Sequence, residues 1–134
     1  YSSSGIAHSC GHALGGVHQI QHGISVGVML PYVLEFNKPE CEEKYIEILK
    51  ALNVTDIGDP TTTLVKMIKE LLKKVNLPTT LKELIPANEW NQNLDKLVEF
   101  AKTDLMAPFN PRATLEEDFR KIFQYAYEGK NVDW

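Results

Sequence analysis

Cysteine is scarce in this chain of 134 residues. Cys10 and Cys41 are its only two, and they form neither a CxxC redox pair nor a disulfide framework. Such usage fits a reducing compartment, and the cytoplasm is the expected location. Long apolar runs are also missing. The longest, Ile24 to Phe36, spans 13 residues and contains Ser25, Pro31 and Glu35, against the roughly 20 that a helix needs to cross a bilayer. No membrane anchor is expected. Blocks of basic charge do not occur: 14 Lys and Arg stand against 18 Asp and Glu, for a formal charge of −4, and the lysines are scattered among apolar residues. That distribution gives nucleic acid nothing to bind. There is no glycine-rich phosphate loop, no internal repeat and no period-two alternation of strand length. A basic, apolar targeting segment is missing too. Because the chain opens on Tyr1 and not Met, it reads as a piece of a larger protein cut just ahead of its site.

What is present is a soluble globular composition, 43% hydrophobic and 24% charged, enough to bury a core in one domain over residues 1–134. Helical signals fill it. Gly5 to Leu14 is rich in small residues, and the Gly15-Gly16 pair is expected to end that helix. Ile24 to Phe36 is apolar nearly all round, which marks a buried central helix, and Pro31 should kink or interrupt it. From Pro39 the positions Cys41, Tyr45, Ile48, Leu49 and Leu52 follow helical spacing. Asp59-Pro60 can cap a further helix with a stripe of Leu64, Met67, Ile68, Leu71, Leu72 and Val75 opposite four lysines. Thr80 with Glu83, and Thr114 with Glu117, have the spacing of capping boxes. Between them, Asn91 to Lys102 presents Leu94, Leu97, Val98 and Ala101. The last helix offers Phe119, Ile122, Phe123 and Ala126 for burial. The expected fold class is all-α, a multi-helix bundle.

All four histidines, His8, His12, His18 and His22, fall within fifteen residues. Imidazole is the commonest metal ligand and titrates near neutrality, so this concentration points to a metal site, a proton relay or both. On a helix, His8 and His12 share one face with Cβ atoms about 6 Å apart. The spacing is that of helical zinc sites, but the HExxH form is absent because Ser9 follows His8. His22 precedes Gly23 at the start of the buried helix, where it can return towards the first helix and let three histidines converge. Spacing alone equally allows one or two of them to cap helices or fill polar gaps.

The letters His8-x-x-x-His12-Ala13-Leu14-Gly15-Gly16, then His22-Gly23-x-Ser25, then Met29-Leu30-Pro31-Tyr32-Val33-Leu34-Glu35-Phe36-Asn37 resemble the signature of iron-containing (group III) alcohol dehydrogenases. Asn110-Pro111-Arg112-x-Thr114, followed by acidic residues and a helix, is similar to the end of the same enzymes. Two positions depart from the pattern: Gln21 stands where proline is usual, and Gly11 where alanine is frequent. The resemblance implies a helical C-terminal domain of the dehydroquinate synthase-like kind, which in that family is paired with an N-terminal nucleotide-binding α/β domain. That partner domain is not in this chain.

The resemblance further implies that His8 and His22 are metal ligands for Fe2+ or Zn2+, completed in the family by an aspartate and usually a histidine from upstream. His12 takes a catalytic role, orienting substrate or relaying a proton. Met106 falls in a region that lines the substrate pocket, while His18 matches no functional position and reads as a loop residue near the partner domain. The implied reaction interconverts a small alcohol and its aldehyde or ketone with NAD or NADP, which is bound mainly by the absent domain. Two imidazoles are short of the three-ligand set of a catalytic metal site. This polypeptide alone is therefore expected to bind metal weakly, to lack turnover, and to expose an apolar patch that self-association can cover. A metal-free helical interaction module and a stand-alone helical metal-binding protein are the alternatives; the latter needs carboxylates near the histidines.

Overall fold

The structure is a computed structural model that describes residues 5–105 and 107–134. Six α-helices follow one another: α1 (Gly5–His18), α2 (His22–Phe36), α3 (Lys38–Ala51), α4 (Pro60–Lys74), α5 (Ala87–Lys102) and α6 (Glu116–Glu128). Short 3-10 turns at Leu81–Glu83 and Ala107–Phe109 sit in the connections. No strand occurs among the described residues, so the all-α expectation holds, and no helix is long and apolar enough to cross a membrane.

The all-round apolar character of α2 has a direct structural reason: the helix borders both apolar clusters. On one side Val28, Met29, Tyr32, Val33 and Phe36 pack with α1, α5 and α6 through Ile6, Leu14, Trp90, Leu97, Phe119 and Phe123. On the other, Leu34 meets Cys41, Tyr45 and Leu49 of α3 and Leu64 and Val65 of α4. Pro31 does not break α2, which is continuous from His22 to Phe36. Burial on both sides holds the helix where a proline in an exposed one would interrupt it. Both cysteines are buried and free.

Several helix starts follow from local chemistry. The Asp59 carboxylate accepts from the Thr62 N–H at 3.0 Å, with Pro60 in the first helical position. Glu83 accepts from the Thr80 N–H at 3.1 Å, as a capping box requires. Three expectations are corrected. The Gly15-Gly16 pair does not end α1, which runs on to His18 and stops where Gln19 takes φ 56°. The pair serves close approach: a Cβ on Gly16 would lie 2.8 Å from the Phe100 ring of α5. The final capping box sits one residue later than expected, because Asp118, not Glu117, accepts from the Leu115 N–H at 2.9 Å. The Thr114 hydroxyl instead donates to the Arg112 carbonyl. The stripe of α4 is rotated as well: Thr61, Leu64, Val65 and Leu72 are buried, whereas Leu71 and Val75 are exposed.

Gly11 is a second place where the absence of a side chain sets a distance. A Cβ there would fall 2.6 Å from Val26 Cγ2 on α2, so α1 and α2 cross more closely than alanine permits. Gly11→Ala would gain about 1 kcal/mol of helix propensity and incur about 1–3 kcal/mol of overpacking. Chemical denaturation is expected to show a net loss of about 1 kcal/mol, recovered on adding Val26→Ala. No recovery in the double variant would show that Val26 is not what excludes the methyl group.

The Asn110-Pro111-Arg112 motif works as a lock at one end of the bundle. Asn37, fully buried at the end of α2, and Asn110 exchange side-chain amide bonds of 3.0 and 2.7 Å. The Asn110 oxygen also accepts from the Ile6 N–H in the first turn of α1, where the helix has no backbone acceptor of its own. Arg112 lies over the Phe36 ring, 4.2 Å from its centroid, and donates to the Phe36 carbonyl at 2.7 Å and a main-chain oxygen of Trp134 at 2.6 Å. The motif thus fixes the starting point of the helix that carries His8 and His12.

Candidate active site

The helical phase of α1 puts Ile6, Ala7, Cys10, Ala13 and Leu14 into the core. His8 and His12, one turn apart, emerge together on the remaining face. A short connection then reverses the chain, and His22 becomes the first residue of α2. Its turn is held by Ser25, whose buried hydroxyl donates to the Gln21 carbonyl at 3.1 Å, beside the backbone bond from Ser25 N–H to the same oxygen at 3.0 Å. The three rings therefore converge. Centroid separations are 6.1 Å for His8 and His12, 5.8 Å for His8 and His22, and 5.3 Å for His12 and His22, the last pair nearly parallel at 26°.

Charge enters from the far end of α5. The Asp104 carboxylate lies 2.8 Å from His12 Nδ1, with the aspartate side chain 12% exposed and the imidazole 39%. Asp104 was not found in sequence, and no local signal marks it, since the pairing spans 92 positions. Beneath the site, burial pushes the Cys10 thiol well above its usual range and the Asp104 charge raises it further. Cys10, fully buried, packs in the core among Ile6, Ala13 and Leu14.

His18 does not join the cluster. It is the last residue of α1, not a loop residue, and its ring stacks on Trp90 with centroids 6.4 Å apart. Its Nε2 is buried without a hydrogen-bond partner among the described residues, and desolvation lowers its pKa. Met106 lies outside the described residues. Leu105 and Phe109 on either side of it are 86% and 66% exposed.

Imidazole nitrogens are donors of a kind that zinc and iron take. Two imidazoles sharing one zinc or iron at about 2.1 Å per bond bring their ring centres to about 5–6 Å, and the 5.8 Å between His8 and His22 falls in that range. Among the described residues, however, no group of three or more His, Cys, Asp or Glu side chains is placed to hold an ion. Glu35, some thirteen residues beyond His22, bonds instead to the Val132 N–H at 3.0 Å, and Glu40 is exposed in the first turn of α3.

Residues 1–127 match the family model described as Fe-containing alcohol dehydrogenase family, C-terminal. Among curated proteins, the NADPH-dependent butanol dehydrogenase of Clostridium saccharobutylicum is 36% identical over 97% of this chain and 34% of its own length. Alcohol dehydrogenase 4 of Saccharomyces cerevisiae is 32% identical over 95% of this chain and 32% of its own. The chain thus spans about a third of the length of these two relatives. Among solved structures, the iron-containing alcohol dehydrogenase from Thermococcus thioreducens superposes with a TM-score of 0.82 at 26% identity, covering 93% of this chain and 32% of that one. A 1,3-propanediol oxidoreductase gives 0.80 at 26% identity, over 91% and 32%.

Proposed function

Since the chain belongs to the Fe-containing alcohol dehydrogenase family, as part of its C-terminal region, we propose that it supplies the metal-facing half of an NAD(P)-dependent alcohol dehydrogenase. The observation that carries this reading is the convergence of His8, His12 and His22 from two helices onto one small volume. Under it, His8 and His22 hold a divalent iron or zinc ion through ring nitrogens, which suit either metal. The remaining ligands come from an upstream nucleotide-binding domain, which also binds NAD or NADP. Held there by His8 and His22, such an ion would supply Lewis-acid polarisation of the oxygen of a small alcohol or aldehyde, and the nicotinamide would supply hydride exchange at the carbon.

This chain's own residues bind and orient. The rigid turn between His8 and His12 fixes one ligand beside one proton-transfer group. His12 accepts the hydroxyl proton of an alcohol at one ring nitrogen and passes it towards solvent, to which its ring is open. Met106, on its sequence position, joins the substrate pocket. Leu105 and Phe109 offer exposed apolar surface for the upstream domain to cover. A cytoplasmic location completes the reading, and a homo-oligomer is compatible with it.

The test separates the half from the whole. The 134-residue chain, dialysed against iron or zinc and analysed for metal, is expected to retain far less than one ion per chain and to show no NAD(P)-linked alcohol oxidation. The longer protein with its upstream domain is expected to retain about one ion and to turn over. Stoichiometric metal or turnover in the short chain would overturn the division of labour. Absence of both in the longer protein would overturn the enzymatic reading.

A further inference from the structure

We propose that Asp104 is a positioning residue for His12, fixing which ring nitrogen of that histidine carries its proton and which is left to work on substrate. The inference rests on the dehydrogenase reading for its functional consequence, but the geometry it starts from stands independently. His12 Nδ1 is 2.8 Å from Asp104 Oδ2, the aspartate almost covered and the histidine facing the cluster. An ionised carboxylate can only accept hydrogen bonds. The proton shared by the two must therefore be on Nδ1, which leaves Nε2 of the neutral ring with a lone pair. Nε2 is the atom that can accept a proton from a bound hydroxyl, and the Nδ1 bond also sets the plane of the ring against its neighbours.

The placement of Asp104 suits a fixed support. It lies in the turn that follows α5, where its own N–H donates to the Ala101 carbonyl at 3.3 Å and its carbonyl accepts from the Ala107 N–H at 3.1 Å. The carboxylate is thereby held on the backbone of one helix end while it grips a side chain of another helix. Without it, the His12 ring could flip or exchange tautomers. An imidazole held by one acceptor alone has one productive arrangement; a released one has several.

The experiment uses the longer protein with its metal bound. Asp104→Asn keeps the shape and loses the obligate acceptor, and Asp104→Ala removes the contact. Both are expected to lower kcat about 10–100-fold with KM and metal content nearly unchanged, and Asp104→Glu is expected to restore part of the loss. Combined with His12→Ala, Asp104→Ala is expected to add little, because the two act as one unit. Nitrogen-15 shifts of labelled His12 give a readout apart from turnover: a protonated Nδ1 in the unaltered protein, and a mixture of tautomers in Asp104→Asn. A His12 already protonated on Nε2 in the unaltered protein would overturn the proposal, as would full kcat in Asp104→Ala or additive losses in the double variant. Should the unaltered protein hold no metal and turn over no alcohol, the dehydrogenase reading fails while the nitrogen shifts still decide the tautomer claim.

Discussion

Replacing His22 with alanine in the full-length enzyme is expected to strip bound iron or zinc and lower alcohol turnover by about a hundredfold or more, with folding retained. Altering a residue that merely supports a metal ligand already costs about 10–100-fold, and His22 is proposed as a ligand itself. The expectation that the fold survives comes from its position. His22 is exposed in the first turn of α2, and the turn is held by Ser25 and the Gln21 carbonyl, so truncating the ring leaves no cavity. Metal analysis, circular dichroism and steady-state kinetics on one preparation make the comparison. His12→Ala is the internal control: the ion should stay while kcat falls. If His22→Ala keeps its metal and its rate, His22 is not a ligand. If it merely unfolds, the cluster is structural and the metal-free interaction module gains.

The second large effect is on stability. Asn110→Ala is expected to destabilise the fold by about 2–4 kcal/mol, because it removes both bonds to the fully buried Asn37 side chain and the acceptor of the Ile6 N–H together, at about 1–3 kcal/mol for a buried polar group that loses its bond. Asn37→Ala should cost less, because Asn110 keeps the Ile6 N–H and the Arg112 carbonyl as partners. The double variant should cost less than the sum of the two, since the two bonds between Asn37 and Asn110 are then lost once and not counted in each single variant. Urea unfolding of the four proteins gives the coupling. Strict additivity would mean that the amide pair contributes nothing as a pair.

Much of this fold was legible because many of its signals are local. Asp59-Pro60 and Thr80 with Glu83 act within a turn or two, and their hydrogen bonds occur where the spacing put them. The last helix buries Phe119, Ile122, Phe123 and Ala126 as its period required. The misreadings share a cause, which is that a distant partner decided. Gly15 and Gly16 read as a stop, yet Phe100 of α5 is what needs the missing side chain. Thr114 read as a cap, but its hydroxyl is engaged by the loop that Asn110 and Arg112 build. The stripe of α4 was read as one face, whereas contact with α2 and α3 together buries Thr61 and Val65 and turns Leu71 and Val75 outward.

The cluster shows the same division. His8 and His12 on one helical face follow from four-residue spacing alone, and the return of His22 needed only a short connection. Asp104 is different. An aspartate after Thr103 at a helix end has a routine look, and nothing in its neighbours announces an imidazole that is 92 positions away in the chain. His18, by contrast, shares the segment but not the face, and Trp90 claims it.

The position of α2 between the two apolar clusters gives the candidate site an uneven stiffness. From Ser25 onward the helix is packed on both flanks, while its first residue, His22, is exposed. The ring proposed to hold the ion thus stands at the exposed leading end of a helix whose later turns are buried. Under the proposed ligand role, that placement lets a nitrogen adjust to an incoming ion while the interior behind it stays packed.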